Sequence, residues 1–344
     1  RLARVKGTGK ESEFVQYSGA LVEVQQFMRL GADEREAYLS KKRSEAQNTA
    51  QDNAKDVSWK LNLLSRTHDN MLGYEKNNSA LAYSIKTGQD LTVVPTNAIL
   101  SGNPEAISAL SKNIKSIHAN NILNGTVGSL NPFSTQQQSE LKQFWEKAKP
   151  GDKLGLLTSI YKSSAGNANA ARDMINSIAG ESGSYRLSAS LNNRGLQDIA
   201  GQIVTGQDLI EKGLVKVDES GLTKHTETYL AGITSPGKPD FQIYLDSIKA
   251  NYAYLVQKSE KVTDSKGNIL NKTIDEELFN KAAKNVTGGK FTSGGFFGSK
   301  SVVLRPHTVG EKSFREQLES FNSRNARNYG GSDKDFFLDL PLEQ

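Results

Sequence analysis

Apolar residues recur at helical spacing over most of this chain, and the longest such pattern lies near its start. From Asp33 there is neither proline nor glycine until Gly73, and the helical pattern carries on to about Lys86. In its second half, Val57, Leu61, Leu64, His68 and Met71 follow the 4-3-4-3 spacing of a coiled-coil seam. Upstream, Ala46, Ala50 and Ala54 replace the seam leucines, which permits close approach but buries little. The stripe is narrow and predicts association with other chains. The competing reading lays it on later helices of the same chain.

Downstream, helices follow one another with short connections. Asn103 and Pro104 open one carrying Ile107, Leu110, Ile114 and Ile117. Ser134 and Gln137 have capping-box spacing before Leu141, Phe144 and Trp145. Pro150-Gly151-Asp152 turns into a helix with Leu154, Leu157, Ile160 and Tyr161. Further helices are predicted over 169–179, 185–191, 196–204, 222–231 and 240–257, the last presenting Phe241, Tyr244, Leu245, Ile248, Tyr252 and Leu255. The region from Thr273 to Phe321 reads as an organising module. Thr273/Glu276 and Thr308/Glu311 mark two helix starts, Gly288-Gly289 stops the first helix, and Ser301–Leu304 is long enough only for a short strand. The predicted fold is mainly α: an elongated multi-helix protein with one long N-terminal helix and a short β element near the C-terminus. Residues 1–90 form an extended N-terminal segment, and residues 91–344 a helical domain ending in the small helix-strand-helix module.

Composition narrows the function classes. With 344 residues the chain can bury a sizeable core, yet its polarity, rich in Asn, Gln and Ser, suits thinly buried helices more than a compact enzyme. Its 43 basic and 38 acidic residues are spread along the whole length, whereas a nucleic-acid reader concentrates basic charge on one stripe or tail. Only Arg1, Arg4, Lys6 and Lys10, and later Arg324 and Arg327, gather locally. A helical nucleic-acid-binding protein therefore stands as an alternative reading. The absence of cysteine excludes disulfide and thiolate chemistry. No run approaches the roughly 20 apolar residues of a membrane span. Opening on Arg1, the chain reads as a processed product or part of something longer.

Candidate chemistry is sparse. His68, His118, His225 and His307 lie far apart, without metal-ligand spacing, and no cofactor is implied. Gly294-Gly295-Phe296-Phe297-Gly298 lacks the Gly-Lys-Ser/Thr of a phosphate loop. It reads as a hairpin with two tucked aromatics or as a contact loop that inserts Phe296 and Phe297 into a neighbour. Gly180-Glu181-Ser182-Gly183 resembles the Glu-Ser pair of lytic transglycosylases, whose glutamate acts as general acid and then base. Gly195-Leu196-Gln197 is similar to their Gly-Leu-Met-Gln turn without its methionine. The remaining signature is missing, so Glu181 reads as a solvated turn residue.

A broader resemblance runs from Asn103 to Leu340. Leu141–Trp145 with Pro150-Gly151-Asp152-Lys153 and Leu156-Leu157, then Gly201–Gly206, Tyr252-Ala253-Tyr254, Val286-Thr287-Gly288-Gly289 and Phe336–Leu340 follow an order that resembles internal virion and DNA-ejection proteins of bacteriophages. In those phages such regions often accompany lytic transglycosylase or tape-measure modules. One departure is the stretch between Phe321 and Phe336, which is short for the pattern. The resemblance implies a non-enzymatic structural protein of the particle interior or tail. It would act as a homo-oligomer with other virion proteins, packaged with DNA and delivered to the host envelope at infection. The alternative is a virion-associated peptidoglycan hydrolase or its helical accessory region. The assembly residues of the structural reading are Val57, Leu61, Leu64, His68, Met71, Phe296 and Phe297.

Overall fold

The computed structural model describes residues 11–47, 54–259, 269–270, 273–293 and 301–329. The protein is mainly α-helical, with fifteen helices and two small strand pairs among the described residues. Two compact units form. One comprises residues 1–99, 103–143 and 163–178, and the other residues 100–102, 144–162 and 179–344. Residues 91–99 and 103–143, which the sequence groups with the C-terminal domain, thus cluster with the N-terminal helices.

The first unit begins with α1 (Glu11–Arg29), α2 (Ala32–Gln47), α3 (Ala54–Asn77) and α4 (Ser79–Thr87). These replace the single long helix predicted from Asp33 to about Lys86. In one straight helix, residues 40 apart would lie about 60 Å from each other, yet Arg35 and Glu75 form an ion pair at 3.0 Å. The chain therefore folds back, and α2 packs against α3. Local chemistry ends the pattern a second time at Asn78, whose side-chain oxygen accepts from the Leu81 N–H and caps α4. Gly88, in the left-handed conformation, closes it.

Next come α5 (Thr96–Leu100), α6 (Pro104–Leu123), α7 (Thr135–Lys147), α8 (Pro150–Ser163) and α9 (Ala168–Ala179). Asn103 caps α6 as predicted, its Oδ1 accepting from Ala106 N–H at 3.0 Å. Ser134 and Gln137 form the reciprocal capping box, Gln137 N–H to Ser134 Oγ and Ser134 N–H to Gln137 Oε1. The extended piece before α5 is held by Asn113, which accepts from Thr92 N–H and donates to Thr92 O. Leu110, Ile114, Ile117, Phe133 and Leu141 are buried in this unit.

The second unit is built around α13 (Pro239–Ser259), against which α10 (Gly183–Asn193), α11 (Gln197–Glu211), α12 (Glu219–Leu230) and α14 (Glu276–Thr287) all pack. Ser247, Ala250 and Ala253 keep α13 slim, and Phe241, Ile248, Tyr252 and Val256 fill the space around it. Two helices reach it through glycine. A Cβ on Gly183 would lie 2.6 Å from Ile243 Cα, and one on Gly206 would lie 1.7 Å from the Ala250 carbonyl oxygen. The predicted end of α11 near Val204 is thus displaced to Glu211, because Gly206 serves packing and not termination.

The C-terminal module contains one more strand than the sequence suggested. Strand β1 (Val215–Lys216) pairs in parallel with β2 (Ile269–Leu270), while β3 (Lys290–Ser293) and β4 (Ser301–Leu304) form an antiparallel pair. Asp275, not Thr273, caps α14, accepting from Leu278 N–H at 3.0 Å. α15 (Glu311–Tyr329) starts directly after Gly310, so Thr308 makes no capping box. Gly288 is the left-handed stop of α14, as expected, with φ of 80°.

Candidate functional site

The predicted seam lies on α3, and the chain's own helices cover much of it. Leu64 and Met71 are buried. Leu64 shares a core with Phe27 of α1 and Leu39 of α2, against which Val24, Leu30, Tyr38 and Leu61 pack. Val57 and His68 are half-buried, and His68 Nε2 sits 3.6 Å from Glu36 of α2. Tyr38 closes one side: its ring lies 5.6 Å from that of Phe27, and its hydroxyl donates to Glu23. Burial first, then Glu23, holds this phenol above its ordinary pKa. Around Leu64 the cover comes from α1 and α2, which precede α3, and not from later helices of the chain. Phe296 and Phe297 lie outside the described residues.

α1 also carries exposed apolar residues. Val15, Leu21 and Val22 are each more than half exposed, and Tyr17 meets Trp59 of α3 edge-on with ring centroids 5.4 Å apart. Val15 and Val22 are two turns apart and so share one side of the helix. This surface has no seam-like repeat in the sequence, because its residues come from two helices.

The same unit holds a charge cluster that sequence reading missed. Arg35 of α2 reaches both carboxylate oxygens of Glu75 at 3.0 Å, and Lys86 of α4 reaches Oε1 at 2.6 Å. All three side chains are buried. Arg35 also donates to Leu30 O at the end of α1. Two cations thus share one carboxylate and tie four helices together. In the sequence each is an ordinary charged residue of a helix, and nothing marks them as partners.

In the second unit a comparable cluster joins α8 to α11. Lys153 and Lys212 each contact Asp208 at 2.6 Å, and the Lys153 ammonium lies over the Trp145 ring. Burial alone would raise the Asp208 carboxyl, but the two lysines hold it below the usual range. Tyr185 stacks edge-on to Trp145 and donates to Glu211. A third network is neutral: Asn251 and Asn285 both donate to Gln202 Oε1, and Asn285 also donates to Asn251 Oδ1.

Glu181 stands exposed on the turn before α10. Its neighbours are engaged structurally, with Gly183 N–H on Asp246 and Ser182 Oγ against Ser184 Oγ. The histidines stay apart. His118 is exposed, His225 contacts Gly221 O and the Phe279 ring, and His307 Nε2 contacts Asn285 O. Among the described residues, no three His, Asp or Glu side chains are grouped to hold a metal ion. No known family model, curated protein or solved structure matches the chain.

Proposed function

We propose that the chain is a structural protein of a phage particle, an internal ejection protein that assembles into a conduit for genome delivery. It works by association with copies of itself and with other virion proteins, inside the particle or tail and then at the host envelope. The ordered resemblance between Asn103 and Leu340 supplies the setting. The observation that carries assembly is the set of exposed apolar residues on α1. There Val15, Leu21 and Val22 stand in solvent, while the inner side of the same helix is filled by Phe27 and its neighbours. Association would remove this apolar area from water at roughly 25 cal/mol per Å².

Sedimentation of the full chain tests the assembly. Val15→Asp with Val22→Asp should shift an oligomer to monomer and leave the helical content by circular dichroism unchanged, since both side chains are exposed. Mass spectrometry should find the chain in purified particles, and particles lacking it should adsorb without delivering DNA. A chain that stays monomeric at high concentration and is dispensable for delivery would overturn the reading. Clearing of peptidoglycan that Glu181→Gln abolishes would do the same.

A further inference from the structure

The outer end of α6 and the turn after it form a protruding apolar tip. Ile122 and Leu123 are 67 % and 85 % exposed, and Val127 is fully exposed. No lysine, arginine, aspartate or glutamate lies between Lys115 and Glu140. The backbone of the tip is largely self-satisfied. Asn124 N–H donates to Asn120 O, Gly125 N–H to Ile122 O and Thr126 N–H to Asn121 O. The Asn121 and Asn124 side chains donate to Gly128 O and Asn120 O. Its base is anchored where Gly31, between α1 and α2, meets the Asn124 carbonyl with no room for a Cβ.

These features fit a hydrocarbon environment better than water. Entering one favours backbone polar groups that are already paired, and here the N–H groups of Asn124, Gly125 and Thr126 are paired within the turn. Aliphatic side chains then gain about 0.8 kcal/mol for each CH₂ taken out of water. Behind the tip, Lys112 and Lys115 are exposed on α6, whose acidic residue, Glu105, sits at the far end. Lys115 precedes Ile122 by two turns, roughly 10 Å along the same side. That spacing matches the 5–10 Å depth to which interfacial segments sink, so the ammonium groups would reach lipid phosphates. A protein-binding hot spot, by contrast, is typically rich in Trp, Tyr and Arg, and none occurs between Lys115 and Glu140.

We propose that the Ile122–Val127 tip inserts into the surface of an anionic lipid bilayer. The site goes beyond the assembly reading and does not depend on it: vesicle flotation reads one, sedimentation without lipid the other. The full chain should float with mixed phosphatidylcholine–phosphatidylglycerol vesicles. Serine at Ile122, Leu123 and Val127 together should cut the bound fraction at least about tenfold, with an unchanged melting curve. Lys112→Gln with Lys115→Gln should weaken flotation at low salt and have less effect at high salt. Leu123→Trp should shift its emission to the blue when vesicles are added, which keeps the test decisive if the serine variant fails to fold. Failure of the wild type to float, equal flotation of a folded serine variant, or an unshifted tryptophan would each overturn the proposal. So would a wild-type dimer that serine substitution dissociates while neither form floats, since the tip would then be a protein contact.

Discussion

Alanine at Gly206 and alanine at Gly201 should move stability in opposite directions, although both positions lie inside α11. In a helix interior, Gly→Ala ordinarily gains up to about 1 kcal/mol, because glycine loses more backbone entropy on folding. At Gly201 nothing lies within 4 Å of the new Cβ, so that gain is collected. At Gly206 the same carbon falls 1.7 Å from the Ala250 carbonyl oxygen, 2.7 Å from its carbon and 3.1 Å from Tyr254 N. The obstacle is the backbone of α13, which no rotamer change can move. Relieving the overlap means parting α11 and α13 by over 1 Å, which loosens the packing of one helix on the other. Overpacking of this kind costs about 1–3 kcal/mol. Thermal unfolding followed by circular dichroism should show Gly201→Ala melting higher and Gly206→Ala lower than wild type, at about 2–4 °C per kcal/mol for a unit of this size. If Gly206→Ala also melts higher, α11 does not cross α13 at this glycine and the packing described for the second unit is wrong.

Three further outcomes can be checked in the same way. Leu64→Ala should destabilise by about 2–5 kcal/mol in denaturant titration, because the buried side chain leaves a cavity beside Phe27 and Leu39; a cost below 1 kcal/mol would place Leu64 on a surface. Glu75→Gln should cost about 3–5 kcal/mol by stranding Arg35 and Lys86 without a counter-charge. The double variant Glu75→Leu with Lys86→Leu should recover part of that loss, and no recovery would deny the pairing. His307 is held below its ordinary pKa by burial, with Arg194 and Arg305 adding to the effect against the Asn285 carbonyl bond. Its contribution is therefore full above the unfolded imidazole value of about 6.5. It falls as pH drops from there through the lower folded value, because the unfolded chain takes up the proton first. His307→Asn should flatten that part of the stability profile, and an unaltered slope would count against the burial.

What the sequence determined was whatever is settled within about one helical turn. The caps at Asn103 and Ser134 act on N–H groups three residues ahead, and Gly288 terminates α14 through its own backbone freedom. Where two local solutions compete the sequence is less decisive: Thr273 had capping-box spacing, but Asp275 accepts the N–H of Leu278. The seam on α3 was legible as a stripe to be covered, since periodicity reports which side faces away from water. It does not report what supplies the cover, and the predicted long helix became α2 packed back on α3 with Leu39 against Leu64. Nor does periodicity explain why Gly206 must be glycine, because the atom that excludes a side chain belongs to Ala250, 44 positions later in the chain. Arg35, Glu75 and Lys86 carry no pattern at all. Charged groups on a helix are read as solvated until tertiary contacts remove the water, and only the assembled helices bring these three together in the interior.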